Sequence, residues 1–355
     1  MKMFTKTQLA LIFFIVACSI GVVTSLIVNR LITGQIIQEA QERVKEDLNT
    51  ARWVYTTRLM DIDRTIRWTA VRHVLKGGVK GKTLSPLQKE MGELMAKEGL
   101  DFLTVLDHKG VVLYRFHNPQ VAGDNQFQDP FIRKGMEKNG VSGTQILSHE
   151  ALLKEGEDLA KKAIFRLVPT PKARPTERVE ESSGLVLRSA YPIFDFSGDL
   201  LGVLTGGILL NRDYEIVDRI KNIVFKDAKY EGKEIGTATI FMGDVRISTN
   251  VMDREGNRAV GTRVSAEVYG HVFEGGNHWI QRAFVVDDWY ITAYEPIKDV
   301  EERIVGILYV GMLESKYALM KERLILLFFL FSMIGMLIAL TLSFMLSWKM
   351  LKRPA

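Results

Sequence analysis

The sequence predicts an α+β fold: two tandem lobes of one recurring unit, carried on a long N-terminal helix and flanked by two transmembrane helices. Three observations carry this. Two long apolar runs bracket the chain. An apolar stripe with an 11-residue period follows the first run. A strand–turn–strand pattern then recurs at an offset of 104 residues.

The apolar runs come first. Leu9–Val28 holds 20 residues without a charge, and Leu324–Trp348 holds 25. A helix needs about 20 apolar residues to cross about 30 Å of hydrocarbon, so both runs are long enough. A cleaved signal peptide is the alternative for the first run. Its apolar core would span only about 7–15 residues before small residues, whereas this run leads into Asn29-Arg30-Leu31. An uncleaved anchor is therefore expected. Lys2 and Lys6 precede the first run, and Lys349, Lys352 and Arg353 follow the second, with no acid beside them. Lys and Arg stay on the cytoplasmic side, so both termini are expected in the cytoplasm and residues 31–320 outside. The expected division is a cytoplasmic N-terminus (1–8), transmembrane helix (9–30), long helix (31–78), membrane-distal lobe (79–214), membrane-proximal lobe (215–320), transmembrane helix (321–348) and a short linker (349–355).

A net charge of +5 is modest and spread along the chain, and no basic cluster points to nucleic acid. The single cysteine, Cys18, lies in the first apolar run, which excludes a disulfide framework and a cysteine metal site. About 290 outer residues are enough for a core of their own, and enough to split into two lobes.

In the long helix, Ile37, Ala40, Val44, Leu48, Ala51, Tyr55, Leu59, Ile62, Ile66 and Ala70 form one stripe. An 11-residue period is 3.67 residues per turn, so the stripe barely winds about the axis. Gly77-Gly78 is expected to end the helix, which then reaches about 60 Å from the bilayer. Two uses of the stripe are open: packing on the chain's own sheets, or on the same helix of a second chain in a homodimer.

Strands follow. Phe102–Leu106 and Val111–Phe116 flank the turn Asp107-His108-Lys109-Gly110, and Leu185–Ile193 and Leu200–Leu210 flank Asp195-Phe196-Ser197-Gly198. Pro169–Glu181 reads as an exposed loop. Thr237–Thr249, Trp279–Val286, Trp289–Ile297 and Ile304–Leu313 read as further strands. The repeat aligns Pro192-Ile193-Phe194-Asp195 with Pro296-Ile297-Lys298-Asp299, then Gly202 with Gly306, Leu204 with Leu308 and Gly207 with Gly311, without a gap. Each copy is preceded by another hairpin, so one unit occurs twice.

Residues Arg246-Ile247-Ser248-Thr249-Asn250, Arg258-Ala259-Val260-Gly261-Thr262, Ala293-Tyr294-Glu295-Pro296-Ile297 and Gly306-Ile307-Leu308-Tyr309-Val310-Gly311 give this chain its likeness to a known family. It resembles a double Cache domain of the Cache 3/Cache 2 fusion type, the PAS-like extracytoplasmic input module of bacterial chemoreceptors and sensor histidine kinases. The resemblance covers about residues 35–320. It implies two PAS-like (Cache) lobes, a place in the bacterial inner membrane, a homodimer and a cytoplasmic output domain or partner. Lys349-Met350-Leu351-Lys352-Arg353-Pro354 resembles the entry to a HAMP linker.

Chemistry is expected in the distal lobe. Tyr114-Arg115-Phe116-His117-Asn118-Pro119, followed by Gly123-Asp124, resembles the R-x-x-H-x-P segment of citrate- and dicarboxylate-sensing kinases, with one residue rather than two between Arg and His. Positions i and i+2 of a strand share a face, so Arg115 and His117 are expected in one pocket, where a guanidinium grips a carboxylate in bidentate fashion. Arg188 stands where those sensors place a second Arg, and Ala190 replaces their Lys, which argues against a tricarboxylate. The expected ligand set is Arg115, His117, Arg188, Tyr114 and Ser189, binding a small organic acid. The alternative is that Arg115 and His117 bond Asp124 or Asp129 and pin the loop. In the proximal half, Arg246, Arg258, Arg263, Arg282, Trp279, Trp289, Tyr290 and Tyr294 fit either a second small-anion pocket or the core and rim of a small lobe.

No G-x-S-x-G, H-E-x-x-H or P-loop occurs, so no catalytic residue, metal or cofactor is expected. Two functions from different classes are open: a transmembrane receptor input module, or a two-helix membrane scaffold that binds other envelope proteins without a small ligand.

Overall fold

The computed structural model describes residues 6–226, 228–230, 232–286 and 288–350. The chain divides into two units, Val44–Met312 and the pair of terminal segments Met1–Arg43 and Leu313–Ala355.

In the terminal unit, helix α1 begins at Lys6 and runs unbroken to Ala70, leaving this unit at Arg43. The chain's last helix spans Ser315–Met350. Both are long and apolar enough to cross a membrane. Ile20, Leu26, Phe331 and Phe344 are all more than half exposed, as lipid-facing side chains are. Gly21, Val22, Ser25 and Leu26 line a 270 Å³ groove with Phe329, Ser332, Met333 and Met336, and small residues at such a seam let helices approach closely. Lys2 and residues 351–354 of the linker-like segment lie outside the described residues.

In the other unit, Val44, Leu48, Ala51, Tyr55, Ile62, Ile66 and Ala70 of α1 are buried. From Val44 onward the stripe therefore packs on the chain's own sheets. The helix stops at Ala70, and α2 (His73–Gly81) carries Gly77 and Gly78 inside it. The expected stop at the glycine pair is thus displaced. Gly78 is needed for packing instead: a Cβ there would sit 2.9 Å from Leu84 Cδ2.

Next come α3 (Gln88–Glu98), β1 (Phe102–Asp107), β2 (Val112–Arg115), α4 (Pro130–Gly135), β3 (Val141–Leu147), α5 (His149–Glu155), α6 (Glu157–Ala163), the short pair β4 (Phe165–Arg166) and β5 (Glu180–Glu181), β6 (Gly184–Phe194) and β7 (Leu200–Leu209). The second lobe, expected to be the proximal one, has α7 (Glu215–Phe225), the short β8 (Lys229–Tyr230) and β9 (Lys233–Glu234), then β10 (Gly236–Met242), β11 (Val245–Thr249), α8 (Ala266–Val268), a π-helical turn to Glu274, β12 (Trp279–Val285), β13 (Asp288–Lys298) and β14 (Ile304–Leu313), which leads to α9 (Ser315–Met350).

The two five-stranded antiparallel sheets share one topology, β2-β1-β7-β6-β3 and β11-β10-β14-β13-β12. These are two PAS-like lobes of an α+β fold. The 104-residue repeat has a physical cause. Gly202 pairs with Asp107 and Gly306 with Met242. A Cβ on Gly202 would fall on the Leu106 carbonyl oxygen, and one on Gly306 on that of Phe241. Only glycine fits where the two central strands come that close. The repeated Asp closes the hairpin in the same way twice: Asp195 Oδ1 accepts from the Ser197 and Asp199 amides, and Asp299 Oδ1 from those of Glu301 and Arg303.

Candidate functional site

The distal lobe has a 260 Å³ cavity between the 124–129 loop, α5 and the sheet. Its floor is Phe102 and Leu147, and its polar lining includes Asp124, Asp129, Ser148, Glu150, Lys154, Glu155 and Arg188.

Arg188 is 3% exposed and reaches the cavity from β6. Its Nε donates to Thr205 Oγ1 at 2.8 Å, and its Nη1 to Asp129 Oδ2 and Gln145 Oε1, both at 2.8 Å. Asp129 is fixed in turn, because its Oδ1 caps α4 through the Phe131 amide and accepts from Gln145 Nε2. The Arg188 guanidinium is thus held in place with Nη2 spare, having no protein acceptor among the described residues.

Arg115 lies behind the cavity wall with no exposed surface. Its Nη1 and Nη2 grip Asp124 in bidentate fashion at 2.7 and 3.0 Å, and its Nε donates to Glu155 Oε1 at 3.0 Å. Thr104 donates to the other Glu155 oxygen at 2.6 Å. The Arg115 hydrogen bonds hold the Asp124 carboxyl down at about 2, against the opposing effect of burial. Arg115 is therefore a clamp that ties the 121–124 loop to α5. Charge assistance and the bidentate geometry make it a strong one.

His117 does not share a pocket with Arg115. Strand β2 ends at Arg115 and the chain bends there, so the i, i+2 rule no longer applies. The His117 ring packs over Gly156, between α5 and α6, and Nε2 meets Asp158 at 2.8 Å. Tyr114 faces the other way and donates to Gln88 Oε1 at 2.9 Å. Ser189 follows Arg188 on β6 and so points to the opposite face, where it donates to Asp63 of α1 at 3.1 Å. Of the five expected residues, Arg188 alone lines the cavity. Asp129, Gln145, Glu150, Lys154 and Glu155 had no motif to mark them; they come together through short helices and a loop.

The proximal arginines divide. Arg258 forms a two-pronged pair with Asp218, each bond 2.8 Å, and Arg263 Nε donates to Asp244 at 2.9 Å. Arg282 stacks 3.8 Å from the Trp289 ring centre. Arg246 is 4% exposed, and its Nε and Nη1 have no hydrogen-bond partner among the described residues.

No cluster of His, Cys, Asp and Glu able to hold a metal ion occurs among the described residues.

Residues 208–323 match the model of the family described as single Cache domain 3. No curated protein matches the chain. Among solved structures it is similar to the periplasmic domain of Vibrio cholerae LuxQ, at 12% identity and a TM-score of 0.45, covering 76% of this chain and 98% of that one. It is also similar to the sensor domain of the V. cholerae histidine kinase DctB, at 8% and 0.45, covering 78% and 98%. A third is the ligand-binding domain of the Pseudomonas aeruginosa PAO1 amino acid chemoreceptor PctB, at 13% and 0.37, covering 79% and 91%.

Proposed function

With a Cache unit over residues 208–323 as the premise, we propose that this chain is the input module of a transmembrane receptor. Both termini lie in the cytoplasm and the two lobes outside the bacterial inner membrane. The module performs no chemistry, and its signal passes to a cytoplasmic output domain or partner.

The observation that carries this reading is the distal cavity with Arg188 fixed at its wall. At 260 Å³ it suits a ligand of a few heavy atoms. Arg188 and Lys154 receive a carboxylate. Asp124, Asp129, Glu150 and Glu155 outnumber them even with Arg115 counted, so an organic acid that also carries an amino group fits better than a di- or tricarboxylate. Arg115 acts through Asp124 and Glu155 as a positioning residue.

Strand β6 links this cavity to α1. Arg188 faces the ligand, and the next residue, Ser189, holds Asp63. Tyr55 and Thr144 join α1 to the same lobe through their hydroxyls, 2.8 Å apart, and Arg52 Nε donates to Glu295 of the proximal lobe at 2.8 Å. A ligand that draws Arg188 shifts α1 by as much as its affinity differs between the two states, typically about 1–3 kcal/mol.

The homodimer, in this reading, uses the far side of α1. Trp53, Met60 and Trp68 are each more than half exposed and fall within an arc of about 80°, opposite the buried stripe.

A thermal-shift screen of the full chain in nanodiscs against small amino and carboxylic acids tests the reading. A saturable rise in Tm for one small acid is expected, since a ligand at 100 times its Kd adds about 2.7 kcal/mol of apparent stability. A flat response to every acid favours the scaffold.

A further inference from the structure

Four arginines are almost wholly buried in the two lobes, and three of them are neutralised. Arg115 meets Asp124 and Glu155, Arg188 meets Asp129, and Arg263 meets Asp244. Arg246 has no carboxylate partner among the described residues. It lies over the Phe241 ring, 5.3 Å from its centre, and the titratable neighbours around it are the neutral phenols of Tyr309, Tyr294 and Tyr290. Burial pushes its guanidinium down from the ordinary arginine range. A buried charge without a counter-charge is expensive, and proteins leave few such groups. The sheet has not been built to neutralise this one from within.

A small cavity of 20 Å³ adjoins it, lined by Arg246 with Phe241, Thr262, Arg263, Tyr294 and Thr170. That is space for about one water-sized group. Thr170 belongs to the distal lobe, on the segment between β4 and β5. This segment is a strap across the proximal lobe. Val168 donates its amide to Gly261, Thr170 Oγ1 accepts from the Arg263 amide, Lys172 accepts from the Ala266 amide, and Arg174 accepts from Arg263 Nη1. Arg174 stacks 3.5 Å from the Tyr269 ring centre, and Lys172 lies over Trp289.

We infer that the membrane-proximal lobe holds a second site, for one small monovalent anion, on the Arg246 guanidinium beneath the 167–179 strap. The aromatic walls give the anion a dry surround, and Arg246 gives it the only uncompensated buried charge among the described residues. A single halide ion fits the space, while acids of several heavy atoms do not. Because the strap comes from the distal lobe, occupation of this site ties the two lobes together. The site is independent of the distal cavity, so failure of either leaves the other standing.

The test uses the full chain in nanodiscs, titrated with sodium chloride, sodium bromide or sodium formate against sodium gluconate at constant ionic strength. A saturable rise in Tm with chloride or bromide, but not with formate or gluconate, is expected, and it disappears in Arg246→Met. Equal rises with all four salts, or an unchanged response in Arg246→Met, overturn the inference. Should Arg246→Met fail to fold, ³⁵Cl NMR of the native chain decides. Saturable line broadening that bromide displaces supports the site, and broadening that is absent or linear in chloride overturns it.

Discussion

At the residue scale, the division of labour between Arg188 and Arg115 is the point that mutation can resolve. Arg188 keeps a spare donor at the cavity wall, so Arg188→Ala should remove a charge-assisted hydrogen bond to the proposed ligand. Such a bond contributes about 1.5–3 kcal/mol, and affinity should fall roughly tenfold or more by calorimetry, with Arg263→Ala nearly unchanged. Asp124 makes a second, pH-dependent prediction. Its carboxyl titrates near about 2 in the fold, because Arg115 holds it, against about 4 when unfolded. The pair therefore stabilises the fold fully above pH ~4 and loses that contribution as the pH falls toward 2. The gap in Tm between the native chain and Asp124→Asn should be wide at pH 5, narrow steadily below about pH 4 and close only below about pH 2. The tripeptide Arg115-Phe116-His117 was legible as a polar cluster, and the bonding of Arg115 to Asp124 was one of two open readings, whereas the His117–Asp158 contact was in neither. Its geometry was not legible, because no pattern in the sequence says that β2 ends at Arg115.

At the scale of elements, the recurring hairpins were legible because they rest on residues with no substitute. Gly202 and Gly306 stand where a side chain would strike a backbone carbonyl, and Asp195 and Asp299 close their turns with their own carboxylates. Gly202→Ala or Gly306→Ala should each lower stability by about 1–3 kcal/mol through overpacking. Gly92→Ala in α3, where a Cβ meets nothing within 4 Å, should instead stabilise by up to about 1 kcal/mol through helix propensity. Chemical denaturation of the three variants checks both signs. The short helices α4, α5 and α6 escaped notice, since six or seven residues are too few to show a helical period. The strap was visible only as a polar, Pro-rich stretch. Its role depends on carbonyls and amides, which every residue carries.

At the scale of the molecule, the 11-residue stripe does form one face of a single unbroken helix, but period alone does not say what covers that face. From Val44 to Ala70 it is the chain's own two lobes, so α1 is shared core. In the proposed homodimer, the second chain meets the opposite side. In a Cys18→Ser background, Cys introduced at Trp53 or Met60 should crosslink between chains, while Cys at the buried Val44 should not. Crosslinking at Val44 alone would restore the stripe as the seam. The account turns on one claim above the others, that a ligand in the distal cavity reaches α1 through β6. Hydrogen exchange of the full chain in nanodiscs, with and without the acid found by thermal shift, measures it most directly. The prediction is slower exchange at 124–129 and 148–155 together with altered exchange at 55–66 of α1, the second effect lost in Ser189→Ala while binding persists. Protection confined to the cavity, with α1 unchanged in the native chain, would contradict it.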